Sequence, residues 1–136
     1  MNTKQLQQAL YTRLNSQVGG SVVGIYTDVP QADDSELDSA YPFITIGPFV
    51  GSNDDTKDDN GVDVVAHVHI WSRSTSALTW RELHDDVFDA LQDYRSLPVT
   101  GANVVNLLYE GSEDFPDPDG KTTHVVMRFR VSYFLT

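Results

Sequence analysis

An α+β fold is what this sequence predicts: a single mostly antiparallel or mixed sheet with two helices packed on one face. Three observations carry it. Two segments repeat apolar residues at spacings of three and four, which makes one stripe on a helix. Five segments are rich in β-branched and aromatic residues, and the longest of them alternate with a period of two. The elements follow in the order α-β-β-β-α-β-β, and one sheet backed by both helices is the simplest layered arrangement of that order. At 136 residues the chain is expected to form one domain over 1–136, because a second independent core would be too small to hold together.

The first helix is expected over 3–18. Leu6, Leu10, Leu14 and Val18 form its stripe, with Ala9 beside them. Thr3 is a candidate N-cap, and Gly19-Gly20 end the helix because glycine accepts the left-handed conformation found after helix C-termini. Residues 22–27, VVGIYT, read as a short strand, followed by a polar loop beginning at Asp28 and Pro30. Pro42 opens the second strand, PFITIGPFV. Pro48 within it cannot donate a ladder hydrogen bond, which predicts an edge position or a bulge.

Residues 51–61, GSNDDTKDDNG, form the most polar segment and read as a loop joining two strands. The strand at 62–73 alternates. Val62, Val64, Ala66, Val68 and Ile70 point one way, and Asp63, Val65, His67, His69, Trp71 and Arg73 point the other. Ser74 to Ser76 supply N-caps for a second helix running to about Tyr94, with Trp80, Leu83, Val87, Leu91 and Tyr94 on its buried stripe. Glu82, Asp85, Asp86, Asp89 and Asp93 lie on its outer side; Asp89 and Asp93 oppose the helix dipole, so this acidic face does not serve helix stability. A strand at 102–110, a turn-rich loop ending in Asp119-Gly120, and a long final strand at 121–135 complete the chain. The strand at 62–73 and the final strand are expected to carry free borders that a neighbouring subunit could complete.

Composition narrows the function classes. The chain has no cysteine, which excludes disulfides, Fe–S clusters and thiol nucleophiles. Twenty acidic against nine basic residues give a formal net charge of −11. Such a chain is repelled by nucleic-acid backbones unless its cations cluster, and only Arg128 and Arg130 are close on one strand face. Sequence-specific nucleic-acid binding is therefore not expected. No apolar run is long enough to cross a bilayer as a helix, so no membrane partner is expected either. The N-terminal stretch lacks the apolar segment and cleavage site of a signal peptide, and the protein is expected to stay in the bacterial cytoplasm until it assembles.

Chemical motifs are thin. The segment DDTKDDNG fails as a calcium loop, since aligning Gly61 with the loop glycine places Thr56 at the first ligand position and His67 at the last. FPDPDG fails likewise, with Phe115 first and Val126 last. His67 and His69 emerge on the same strand face, a spacing found in metal sites, but a third ligand from His84, His124 or Asp63 would have to converge on them. VGGSVVG matches neither a nucleophile elbow nor a dinucleotide-binding fingerprint, and no phosphate loop is present. The carboxylates cluster in polar loops, where solvent keeps them ordinary acids. No catalytic residue, cofactor or metal is assigned, and a small metal- or ligand-binding α+β domain is kept as an alternative.

The segments LQQALYTRL, VGIYTDVP, YPFITIG, HVHIWSR followed by an acidic amphipathic helix, and DGKTTHVVMRFRVSYF occur in this order. Together they resemble the tail-completion or tail-to-head joining proteins of long-tailed phages and prophages, whose fold is similar to the lambda-type tail terminator. The resemblance spans nearly the whole chain. It implies a structural virion protein that caps the head-proximal end of the tail tube as a ring, usually hexameric, and meets the head connector. Another neck or head-completion ring component is the alternative within the same class. The implied partners are further copies of the chain, the tail tube protein and the connector; a ring in isolation and a monomer that assembles only on the tail tip both stay open. The resemblance further implies that loop 51–61 projects into or beside the ring. Asp54, Asp55, Asp58 and Asp59 would then present like charge to passing DNA. Arg73, Arg128 and Arg130 are the candidates for contacts with Asp85 or Asp89 of a neighbour.

Overall fold

The computed structural model describes residues 3–27, 41–53, 61–73, 78–118 and 120–136. Helix α1 covers Thr3–Val18 and runs into a single 3₁₀ turn at Gly19–Ser21. Strand β1 follows at Gly24–Tyr26, β2 at Phe43–Asn53 and β3 at Gly61–Ser72. Helix α2 spans Leu78–Leu91, and the chain closes with β4 at Ala102–Pro116 and β5 at Thr123–Leu135. The order α-β-β-β-α-β-β is the one the sequence predicts. Thr3 is already helical, so it is not the cap, and Ser74–Ser76 lie outside the described residues.

The five strands form one mixed sheet in the order β1-β2-β3-β5-β4. Only β1 and β2 run parallel, pairing Gly24–Tyr26 with Phe43–Thr45; the other three neighbours are antiparallel. Among the described residues the sheet is open, with β1 and β4 at its borders. This corrects the expectation of free borders on 62–73 and on the final strand. Strand β3 lies between β2 and β5, and β5 is paired along its length by β3 and by β4. Its length needs no neighbour because β4 is itself 15 residues long and matches it.

The length of β4 is a second correction. The sequence ends this strand at 110 and treats GSEDFPDPDG as a loop, since Gly, Ser, Asp and Pro disfavour strands. In the fold, residues 111–116 continue opposite Arg128–Thr123 of β5. Backbone groups of β5 left unpaired inside the sheet would be costly, and that demand overrides local propensity. Two bulges accommodate the run: Val105 and Glu110 are each an extra residue against β5. Gly111, at φ +142, supplies the backbone conformation that the second one uses.

The proline in β2 sits at a bulge, as its chemistry requires. Ile46 pairs with Val68 and Phe49 with Ala66, so Gly47 and Pro48 together oppose His67. Gly47 has φ +117.

Both helices cover one face of the sheet. Leu6, Ala9, Leu10, Leu14 and Val18 of α1 are buried, as are Leu83, Val87, Ala90 and Leu91 of α2. They meet Val62, Val64, Ala66, Val68 and Ile70 of β3 and Val125, Met127, Phe129, Val131 and Tyr133 of β5 in one core. Helix α2 ends at Leu91 and not at Tyr94, because Asp93 adopts a left-handed backbone at φ 59. Arg13 ties the helices together. Its Nε donates to the Ala90 carbonyl at 2.9 Å, and its guanidinium lies 3.8 Å from the Tyr94 ring centre. The cation thus occupies the negative end of α2, where carbonyls lack helical partners.

Candidate functional site

The face of the sheet away from the helices carries the side chains that packing does not explain. Strand alternation puts Phe43, Trp71, His124 and Phe115 there as register partners across β2, β3, β5 and β4. They form an aromatic row. Phe43 stacks on Trp71 with centroids 5.9 Å apart, Trp71 on His124 at 3.7 Å, and Phe115 meets His124 edge-on at 4.8 Å. Tyr26 and Tyr41 extend the row beyond Phe43, and Arg73 lies over Tyr41 at 4.6 Å. Phe43 is fully buried, and among the described residues the rings of Tyr26, Tyr41 and Trp71 pack against it. Trp71 also donates its indole N–H to Thr45 Oγ1 at 3.2 Å.

A second row holds histidines. His69 Nδ1 approaches His124 Nε2 to 2.7 Å, and the His67 ring stacks loosely on His69 at 6.4 Å. His67 Nδ1 donates to the Pro48 carbonyl at 2.8 Å, which satisfies an oxygen at the bulge. Burial, followed by the charge of His124, lowers the His69 pKa from 6.5 to about 4. Burial also lowers His124, and Asp117 opposes that shift.

Further along, cations and carboxylates pair across β4 and β5. Arg128 donates to Glu113 Oε1 at 3.1 Å, and Arg130 reaches Glu110 Oε1 at 3.1 Å. Asp63 accepts from Ser132 Oγ. Leu108, Phe134 and Val50 stay exposed among them, Val50 at 61%. At the β2 bulge an open groove of about 460 Å3 is lined by Gln7, Thr45, Pro48, His69 and Trp71, among others.

The residues singled out from sequence fall into three places. Asp54, Asp55, Asp58 and Asp59 lie outside the described residues, between the ends of β2 and β3. Arg73, Arg128 and Arg130 stand on the open face or at its margin, and each has partners within the chain: Arg73 donates to Thr122 Oγ1 at 2.9 Å. Asp85 and Asp89 are exposed on α2, on the other side of the sheet. Within one copy the sheet therefore separates the arginines of β5 from these aspartates. The histidines do not converge as a ligand set. His84 turns to Ser112 Oγ at 2.9 Å on the helix side, and only His124 joins His69. Among the described residues, no group of three or more His, Asp or Glu could hold a metal ion. Sequence reasoning missed the aromatic row and the glutamate partners. The row was visible in principle, because Phe43, Trp71 and His124 all fall on the non-core phase of their strands. Glu113 was hidden because its segment reads as loop.

Residues 8–133 match the family model described as tail completion protein gp17. The tail completion protein gp17 of Bacillus phage SPP1 is 27% identical over 129 residues, which span 94% of this chain and 91% of that protein. Among solved structures, a chain from the virion of a native gene transfer agent (GTA) particle superimposes with a TM-score of 0.77 at 18% identity, covering 95% of this chain and 94% of that one. The bacteriophage SPP1 gp17 structure superimposes with a TM-score of 0.52 at 22% identity, covering 98% and 89%. At these identities the two superpositions show the fold alone.

Proposed function

The chain belongs to the tail completion protein gp17 family, and from that premise we propose that it is a structural virion protein that closes the head-proximal end of a long tail tube as a ring and joins the tube to the head connector. The family match across residues 8–133 is the observation that carries this reading. The role calls for surfaces and no bond chemistry, and we assign no catalytic residue.

A ring needs a heterologous contact, in which one surface of a copy meets a different surface of the next. The distribution of side chains supports contacts through faces. The borders of the sheet suit pairing poorly: β4 is interrupted by two bulges, and β2, which β1 pairs only over Phe43–Thr45, is interrupted beyond that by Gly47-Pro48. The faces differ in character. Arg73, Arg128 and Arg130 stand on one side, and Asp85 and Asp89 on the other, where a neighbour could bring them together. The −11 charge opposes association unless opposite charges are matched in this way. In the same reading Asp54, Asp55, Asp58 and Asp59 line the channel and keep DNA from adhering.

The test is genetic and physical together. Removing the gene from its phage should leave filled heads and unjoined tails of irregular length, seen by electron microscopy, and complementation should restore joined virions. Normal tails in its absence would overturn the reading; normal tails on unclosed heads would move the protein to head completion. Light scattering of the purified protein, alone and with tail tube protein, should show a ring formed at least in the mixture. Replacing the four loop aspartates by lysine should slow DNA delivery in assembled virions. Unchanged delivery from rings whose loops line the channel would remove the charge idea.

A further inference from the structure

We propose that His69 and His124 form an acid-sensitive latch on the open face of the sheet, closed while at least one imidazole is neutral and released when both are protonated. The geometry carries this. His69 Nδ1 and His124 Nε2 lie 2.7 Å apart. At that distance one ring nitrogen donates its hydrogen and the other accepts it through a lone pair. A fully protonated imidazole has no lone pair, so double protonation abolishes the bond and leaves two cations in contact.

The latch ties β3 to β5 within the aromatic row, where His124 lies between Trp71 and Phe115. His124 packs against Trp71 at 3.7 Å, and the His69 ring lies 6.3 Å from the same indole. His69 also lines the groove at the β2 bulge. A ring that turned away would therefore unstack Trp71 and open the groove wider.

The surroundings oppose early release. His67 on β3 and Arg128 on β5 both disfavour charge on His69, and a backbone hydrogen bond at Gly47 favours it. From β4, Glu113 is engaged by Arg128, and Asp117 beyond that strand favours charge on His124. Residues 43–51 of β2 contain no ionisable side chain. Burial acts first among these influences, and His69 titrates at about 4. Its pKa in the folded chain thus lies below the ordinary 6.5, so the unfolded chain binds more protons across that interval. The latch's contribution to stability is complete above pH 6.5 and is lost as pH falls toward 4. The first proton is shared between the rings, and the second opens the latch.

The experiment is a histidine NMR titration of the purified protein from about pH 8 to about pH 3.5, a range that brackets both the ordinary and the shifted values. His69 and His124 should titrate below 6.5 in two coupled steps. In H124Q, whose amide oxygen accepts from His69 Nδ1–H and carries no charge, the His69 midpoint should rise toward 6.5. Thermal melts should show a steeper loss of Tm between pH 6.5 and 4 for the natural chain than for H69Q/H124Q; the comparison removes the contribution of the carboxylates common to both. Independent titration near the ordinary value, an unmoved His69 midpoint in H124Q, or identical melting profiles would each overturn the latch. Should the double variant not fold, the titration of the natural chain decides alone.

Discussion

The two faces of this sheet are made from the same strands, yet they are held by different forces. Beneath the helices, β3 and β5 present Val64, Val68, Met127 and Phe129, all fully buried. Their stability comes from removing apolar surface from water, at roughly 25 cal/mol per Å2. On the open face the same strands present Trp71, His69, His124, Arg128 and Arg130. There the side chains shield one another through stacking, hydrogen bonds and ion pairs, and most remain half-exposed. The lesson is one of division of labour. The covered face makes the fold, so the open face is free to be specific. The ring proposed above would call for a surface organised before contact, since ordering it at the moment of contact would weaken binding.

The sharpest way to break this contrast is at the covered face. Phe129→Ala should destabilise the chain by about 3–5 kcal/mol, because it leaves a cavity where Tyr109 and α2 meet the sheet. Urea unfolding measures it, and a loss similar to that of open-face variants would erase the distinction. At the open face, Trp71→Ala should cost about 2 kcal/mol, combining lost area with two stacking contacts and the bond to Thr45. The fold should survive, as judged by circular dichroism. Arg13→Ala is placed between the helices and should cost about 1.5 kcal/mol through the lost charge-assisted bond to Ala90. Methionine at the same position recovers packing but not the bond, so it should recover little.

The smallest effect on stability is expected at the ion pairs. Arg128→Ala and Arg130→Ala should each change unfolding free energy by less than about 1 kcal/mol, as exposed pairs do. Their effect on assembly of the proposed ring should exceed their effect on folding. Sedimentation of ring against single subunit separates the two, and swapping Arg128→Asp with Asp89→Arg should restore assembly if those residues meet between copies. Equal, small effects on folding and assembly would confine the arginines to their partners within the chain.

Much of the architecture was legible before any coordinates. The spacing of Leu6, Leu10 and Leu14 determines α1, and the alternation from Val62 to Ile70 determines β3 and which of its sides is buried. These signals are strong because each residue's burial repeats with the geometry of its own element. The element order followed, and so did the bulge at Pro48, since a proline lacks the hydrogen that the ladder needs. Neither required knowledge of a distant partner. The short β1 and the end of α2 were harder, because their limits depend on what lies beside them.

What tertiary structure alone decided is whatever depends on strand order. Local patterns did not reveal that β5 lies between β3 and β4, and that placement removes the free borders expected on the two longest alternating strands. It turned residues 111–116 from an apparent loop into a strand, and it brought Glu113 to Arg128 and His124 to His69. Periodicity reports which side of an element faces inward. It carries no information about which element stands next to it, because that choice is set by the packing of the whole sheet.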